Sequence, residues 1–207
     1  MQEQHIKISV GVVILAAGAS RRMGRPKLLL PWGEISVVAH LLQQWNRLGA
    51  SQIAVVFAAE AKPLETELDR LNFPVANRIV NPAPENGMFS SIRCAANWAG
   101  WHSEITHWVI TLGDQPHLRD ATLERLLDFG ARYPDKICQP IRGDRRKHPV
   151  LLPRRLFEKL KNTSVADLKI FLTAHAPDLS GFQSVDAELD FDMDTPEDYE
   201  KLLRAFR

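Results

Sequence analysis

The residues best equipped for chemistry stand close together early in the chain. Leu15-Ala16-Ala17-Gly18-Ala19-Ser20-Arg21-Arg22-Met23-Gly24-Arg25-Pro26-Lys27 puts small side chains first and cations after them. Small residues let backbone N–H groups approach phosphate oxygens closely. Arg22 then offers a two-pronged fork and Lys27 a movable point charge, a combination suited to neutralising a triphosphate. Spacing excludes two common phosphate loops. A Walker A loop has two glycines flanking four residues, then Lys and Ser or Thr. Here five residues separate Gly18 from Gly24, and Lys27 follows Pro26. The Gly-x-Gly-x-x-Gly of dinucleotide folds is not matched either.

A second group of residues is acidic. Gly113-Asp114-Gln115-Pro116 ends an apolar run, and Asp190-Phe191-Asp192-Met193-Asp194-Thr195-Pro196 carries acids at alternate positions. In an extended segment alternate side chains share a face, so three like charges there call for a compensating cation or helix N-terminus. Mg²⁺ is usually held by one or two carboxylates plus phosphate oxygens. Asp114 suits that role, and a turn-forming Asp is the alternative. No Ser–His–Asp or Cys–His set has suitable spacing.

Both groups need rigid elements to aim them. Val10 to Ala16 is a β-branched, non-alternating apolar run, the pattern of a strand buried on both faces of a parallel sheet. Its carboxyl end would deliver the small-residue loop to the crevice where open α/β sheets bind ligands. Val38, Leu41, Leu42, Trp45 and Leu48 then recur at helical spacing, with Gly49 as the stop. The pattern predicts strands over Gln52 to Ala58, Val75 to Val80 and Trp108 to Leu112. It predicts helices over Ala61 to Leu71, from near Gly87 (Ile92, Ala95, Ala96 and Ala99 on one face), and around Leu123, Leu126 and Leu127. Lys136 to Leu152 reads as two strands joined by the charged loop Arg142 to Lys147. Short helices over Arg154 to Lys161 and Val165 to Ala174 follow. Thr195-Pro196-Glu197-Asp198 is a strong helix start, with Tyr199, Leu202, Leu203 and Phe206 as its buried face. The alternation predicts one domain over residues 1–207, a three-layer α/β/α sandwich with a mostly parallel, Rossmann-like sheet and right-handed crossovers.

Leu15-Ala16-Ala17-Gly18-x-Ser20-x-Arg22-Met23-Gly24-x-x-Lys27 resembles the signature of the MobA-like nucleotidyltransferases, within the nucleotide-diphospho-sugar transferase fold, and the resemblance extends over nearly the whole chain. Ala17, where the guanylyltransferase branch usually has Gly, and Pro26, where that branch has an acid, point to the cytidylyltransferase branch. The resemblance implies transfer of CMP from CTP to molybdopterin cofactor, with Mg²⁺ and release of pyrophosphate. It implies catalytic roles for Arg22, Lys27 and Asp114, and metal ligation by Asp114 and Asp194, with Asp192 as a weaker candidate. Leu15, Ala16, Ala17, Gly18 and Ser20 would surround the nucleotide beside Arg22 and Lys27. The segment Asn81 to Ser91 would surround the base, through Asn81, Gly87 and Ser91. Gln115, Lys147 and His148 would face the acceptor, with an apo-molybdoenzyme as a further partner. Lys147 stands where the family's Gly-His-Pro-Val has Gly. That departure keeps open a sugar- or polyol-phosphate acceptor, and GTP or another NTP remains an alternative donor. A non-catalytic nucleotide- or cofactor-binding chaperone is a third reading, opposed by the joint presence of Arg22, Lys27, Asp114 and Asp194.

Bulk composition narrows the partners. Among 207 residues, 26 basic side chains face 25 acidic ones, and a net charge of +1 gives no reason to expect nucleic acid or a membrane surface. Cys94 and Cys138 lack a metal-type spacing and read as reduced thiols. Glu3, His5 and Lys7 precede the first apolar run, unlike a signal or transit peptide, and the expected compartment is the cytoplasm.

Overall fold

The computed structural model describes residues 8–206. The reading of the first residues, which rested on Glu3, His5 and Lys7, lies outside them. The first apolar run forms β1 (Val10–Leu15), every residue of which is buried. It lies between two parallel neighbours, β4 (Gln52–Ala58) and β6 (His107–Leu112). Burial on both faces explains why the run does not alternate. Before β4 a small hairpin pairs β2 (Pro31–Trp32) with β3 (Ile35–Ser36). Beyond β4 the sheet ends on β5 (Arg78–Asn81). On the other side of β6 lie β9 (Val150–Pro153), β7 (Ile137–Arg142) and β10 (Leu179–Gln183), with the two-residue β8 (Arg145–Arg146) on β7. Of the strands on this path, β9 alone runs against its neighbours, so the sheet is mostly parallel, as expected.

Helices cover both faces. α1 (Val37–Arg47), α2 (Lys62–Arg70), α4 (Asp120–Arg132) and α7 (Pro196–Phe206) pack with Val10, Val12 and Ile14 of β1. α3 (Met88–Asn97), α5 (Arg154–Lys159) and α6 (Leu168–Ala174) pack with Val13 and Leu15. The alternation of β1 thus feeds two separate cores, the three-layer α/β/α arrangement. Helix starts follow their sequence signals. Ser36 caps α1 by accepting from the Ala39 N–H at 3.2 Å. Thr195 Oγ1 accepts from the Asp198 N–H while Asp198 returns a bond to the Thr195 N–H, a reciprocal cap.

Among the element boundaries that differ from the sequence pattern, two have a visible cause. Val75–Asn77 is a 3₁₀ turn after Pro74, closed by the Asn77 N–H on the Pro74 carbonyl at 3.0 Å, so pairing with β4 starts only at Arg78. α3 stops at Asn97 because the Trp101 indole N–H takes the Ala95 carbonyl at 2.8 Å; Ala99 is exposed beyond the helix.

Candidate active site

Parallel register sets the place. Leu15 lies beside Leu112, so β1 and β6 end together and release their loops at one edge of the sheet. The two ends are tied by the Gly113 N–H on the Leu15 carbonyl, 3.0 Å. A Cβ on Gly113 would stand 2.7 Å from that carbonyl oxygen and 2.9 Å from the Leu28 side chain, so only Gly allows the approach. β9 runs the opposite way with Val150 beside Ile110, which brings His148 and Pro149 to the same edge.

The first loop is folded by its own residues. Ser20 adopts φ 50°, its carbonyl accepts from the Met23 and Gly24 N–H groups, and Gly24 adopts φ 70°. Met23 is buried and anchors the loop in the core. The Ser20 hydroxyl accepts from the Lys27 N–H at 3.2 Å, which fixes where the lysine leaves the backbone. Among the described residues, the N–H groups of Ala17, Gly18 and Ala19 donate to no protein acceptor, and Gly18 has open space where a side chain would be. These donors are free for an anion.

The cations of this loop meet the acids. Lys27 Nζ lies 2.6 Å from Asp194 Oδ1 and 3.3 Å from Asp114 Oδ2. Arg22 reaches the other oxygen of Asp194 at 2.6 Å. Lys27 and Arg22 hold the Asp194 carboxyl below the usual range, the Lys27 hydrogen bond being the largest cause. Burial pushes Asp114 up, and Asp192 and Asp194 add to the rise against the opposing charge of Lys27. One ammonium thus spans two carboxylates that would otherwise repel.

The three alternate acids do not share one face. The segment 187–190 is a 3₁₀ turn rather than extended chain, so Asp190 is drawn to Lys147, at 2.8 Å, and to Arg142. Asp192 accepts from Gln115 Nε2 at 2.9 Å. Only Asp194 reaches Lys27. No group of three His, Cys, Asp or Glu side chains among the described residues is arranged to enclose a metal ion. Asp192, the weaker of the expected ligands, gives one oxygen to the Gln115 amide and lies near enough to Asp114 to raise its pKa.

The other candidates divide. Asn81 is 1% exposed and donates to the Ser90 and Ser91 hydroxyls at 2.8 and 2.9 Å, while its Oδ1 accepts from the Ala83 N–H. Asn81 and Ser91 therefore brace the loop between β5 and α3 from inside. Gly87 is exposed, with φ 82°, at the first turn of α3. Gln115 is buried and its Oε1 has no partner; the same holds for Nδ1 of His148. Lys147 spends its charge on Asp190. Burial lowers the His148 pKa, which favours the neutral ring. Both cysteines are free thiols, and burial pushes Cys138 up to about 12, far from reactive.

An α/β/α sandwich with a small-residue loop, two cations and two carboxylates at the carboxyl edge of a parallel sheet defines a nucleotide-handling protein. Residues 12–177 match the MobA-like NTP transferase domain, and the chain belongs to that family of nucleotidyltransferases. It is 30% identical to a probable molybdenum cofactor guanylyltransferase of Carboxydothermus hydrogenoformans, over 94% of this chain and 95% of that protein. It is 24% identical to the molybdenum cofactor cytidylyltransferase of Escherichia coli K12 (92% and 94% covered) and 29% identical to the nicotine blue oxidoreductase of Paenarthrobacter nicotinovorans (92% and 95%). The crystal structure of Rv0371c of Mycobacterium tuberculosis H37Rv in complex with manganese superposes with a TM-score of 0.69, at 27% identity, covering 96% of this chain and 99% of that one.

Proposed function

We propose that the chain transfers CMP from CTP to the phosphate of molybdopterin cofactor and releases pyrophosphate, with Mg²⁺ held by Asp114 and Asp194. The observation that carries this reading is the Lys27 ammonium between those two carboxylates, beside the free N–H groups of residues 17–19. A cation already stands where the carboxylates converge, and the oxygen-only donor set suits a hard divalent ion that completes its shell with phosphate oxygens. Bound there, Mg²⁺ would neutralise charge on the triphosphate.

The chain's own groups account for the remaining work. An acceptor phosphate oxygen forms a bond to the α-phosphorus as the bond from that phosphorus to the bridging oxygen of pyrophosphate breaks. The nucleophile is already ionised, so no general base is required. Lys27 and Arg22 neutralise the phosphates, and the N–H groups of Ala17, Gly18 and Ala19 orient them. Ala17 and Pro26 support CTP as donor through the branch they resemble. GTP is the second donor reading, because a relative at 30% identity is named a guanylyltransferase. The pairing of Lys147 with Asp190 bears on the acceptor: this lysine is engaged within the protein, so its presence is weak support for a sugar- or polyol-phosphate.

Pyrophosphate release tests the reading, screened over CTP, GTP, ATP and UTP with molybdopterin cofactor and with sugar phosphates. Release is expected with CTP and molybdopterin cofactor. Preference for GTP would overturn the donor, preference for a sugar phosphate the acceptor, and silence with every pair the enzymatic reading itself.

A further inference from the structure

The two acids that meet Lys27 come from segments far apart in sequence, and a ladder of contacts holds those segments together. One rail is 114–122, leaving β6 and entering α4. The other is 186–193, leading into α7. The contacts run in antiparallel order. The Asp114 carbonyl accepts from the Met193 N–H at 3.2 Å. Gln115 donates to Asp192 at 2.9 Å. His117 Nε2 lies 3.0 Å from the Glu188 carbonyl and 3.1 Å from that of Phe191, so it carries the ring proton and serves both. Arg119 grips Glu188 with two bonds, at 2.9 and 2.8 Å, and Thr122 Oγ1 adds one at 2.8 Å. Arg119 and Thr122 also reach Asp186.

Glu188 stands out on this ladder because it is fully buried. The Arg119 side chain stays largely exposed while the Glu188 carboxylate is enclosed, so the pair satisfies a buried charge that would be costly alone and ties the two segments in one register. Here the register in question is that of the segment which presents Asp194 to Asp114. Between Glu188 and Asp194 the chain is held again at Phe191, Asp192 and Met193, so it has little slack with which to absorb a shift.

We propose that Glu188, clamped by Arg119 and Thr122, is a positioning residue that sets the separation of Asp114 and Asp194 and thereby the affinity of this edge for a divalent cation. The inference rests on the reading that these two acids hold the metal. Partners bonded directly to a metal ligand are worth about 10- to 100-fold in metal affinity, and Glu188, acting through the ladder, is expected at the lower end of that range.

The test is direct Mn²⁺ binding to the purified full chain without nucleotide, since CTP itself binds Mn²⁺, read by the loss of the free-ion EPR signal. Wild type, Glu188→Gln, Thr122→Val and Leu156→Ala are compared. Leu156 is buried in the opposite core, so its truncation destabilises the fold without touching the ladder. The expected result is an affinity loss of about 10-fold or more for Glu188→Gln, a smaller loss for Thr122→Val, and none for Leu156→Ala at temperatures where all are folded. Wild-type affinity in a folded Glu188→Gln protein overturns the clamp, and so does an equal loss in Leu156→Ala. If Glu188→Gln does not fold, unchanged binding in Thr122→Val overturns it. If wild type itself binds no Mn²⁺, the reading of the metal site falls and takes the clamp with it.

Discussion

Lys27 is the residue on which the site turns. Its ammonium touches Asp194 at 2.6 Å and Asp114 at 3.3 Å, so it occupies the space between the carboxylates that a divalent ion would also seek. Two cations cannot share that space, because like charges a few ångströms apart repel by several kcal/mol at protein-surface dielectric, about 4 kcal/mol at 4 Å. Metal entry on this reading therefore displaces Lys27 towards the phosphates. Lys27→Met is expected to give opposite signs in two measurements. Mn²⁺ affinity of the nucleotide-free protein rises several-fold, since the competing ammonium is gone, while CTP affinity falls. A parallel fall in both would show that the lysine supports the carboxylates rather than competing for them. Asp114→Asn is expected to lower turnover by about 10²-fold or more while the melting temperature holds, because the carboxylate is a preorganised charge and not a packing element. Unchanged turnover would place the metal elsewhere.

At the scale of elements, the site exists because β1 and β6 end side by side and their loops are drawn into contact. Gly113 is the contact point. Gly113→Ala places a methyl group 2.7 Å from the Leu15 carbonyl and 2.9 Å from Leu28, and backbone oxygen does not yield as a side chain would. The expected result is a loss of stability typical of overpacking, about 1–3 kcal/mol, seen as a lower melting temperature, with weaker CTP binding because both loops move apart. A variant that melts like wild type would mean the edge is looser than these distances imply. Most of this architecture is legible in the sequence: β1, β4 and β6 from continuous apolar runs, α1 and α7 from periodicity and caps, the first loop from its small residues and cations. What escapes has a common cause. The acids at 190, 192 and 194 look like one face because alternation presumes extended chain, but the 3₁₀ turn Ala187–Asp190 draws Asp190 to Lys147, away from the other two. Asn81 and Ser91 look like ligand-facing polar residues, yet burial turns them inward onto each other. Glu188 carries no local signal at all, since its partners Arg119 and Thr122 lie some seventy residues earlier.

At the scale of the whole molecule, desolvated histidines and paired carboxylates govern how the fold responds to acid. Burial lowers the pKa of His40, His107, His117 and His148, each above all by desolvation of the charged ring. A histidine depressed in the folded state takes up its proton more readily when unfolded. Its stabilising contribution is therefore complete above the unfolded value, about 6.5, and is lost as pH falls through and below it. The paired carboxylates behave the same way at lower pH. Asp178, Asp186, Asp190 and Asp194 are held below the ordinary range chiefly by hydrogen bonds from Arg155, Ser184, Lys147 and Lys27 respectively. Their contribution is present above about 4 and is lost below it. The melting temperature is thus expected to be flat from neutral pH down to about 6.5, to decline as the histidines begin to charge, and to fall more steeply below about 4. His107 gives the cleanest check, because its ring bridges the Thr106 hydroxyl and the Pro134 carbonyl at the end of β6 remote from Asp114. His107→Gln should flatten the decline between pH 6.5 and 5 while leaving the steeper loss below 4 in place. A first phase of undiminished slope in that variant would assign it to His40, His117 and His148 alone, and would mean that the buried ring of His107 takes no part in the acid response.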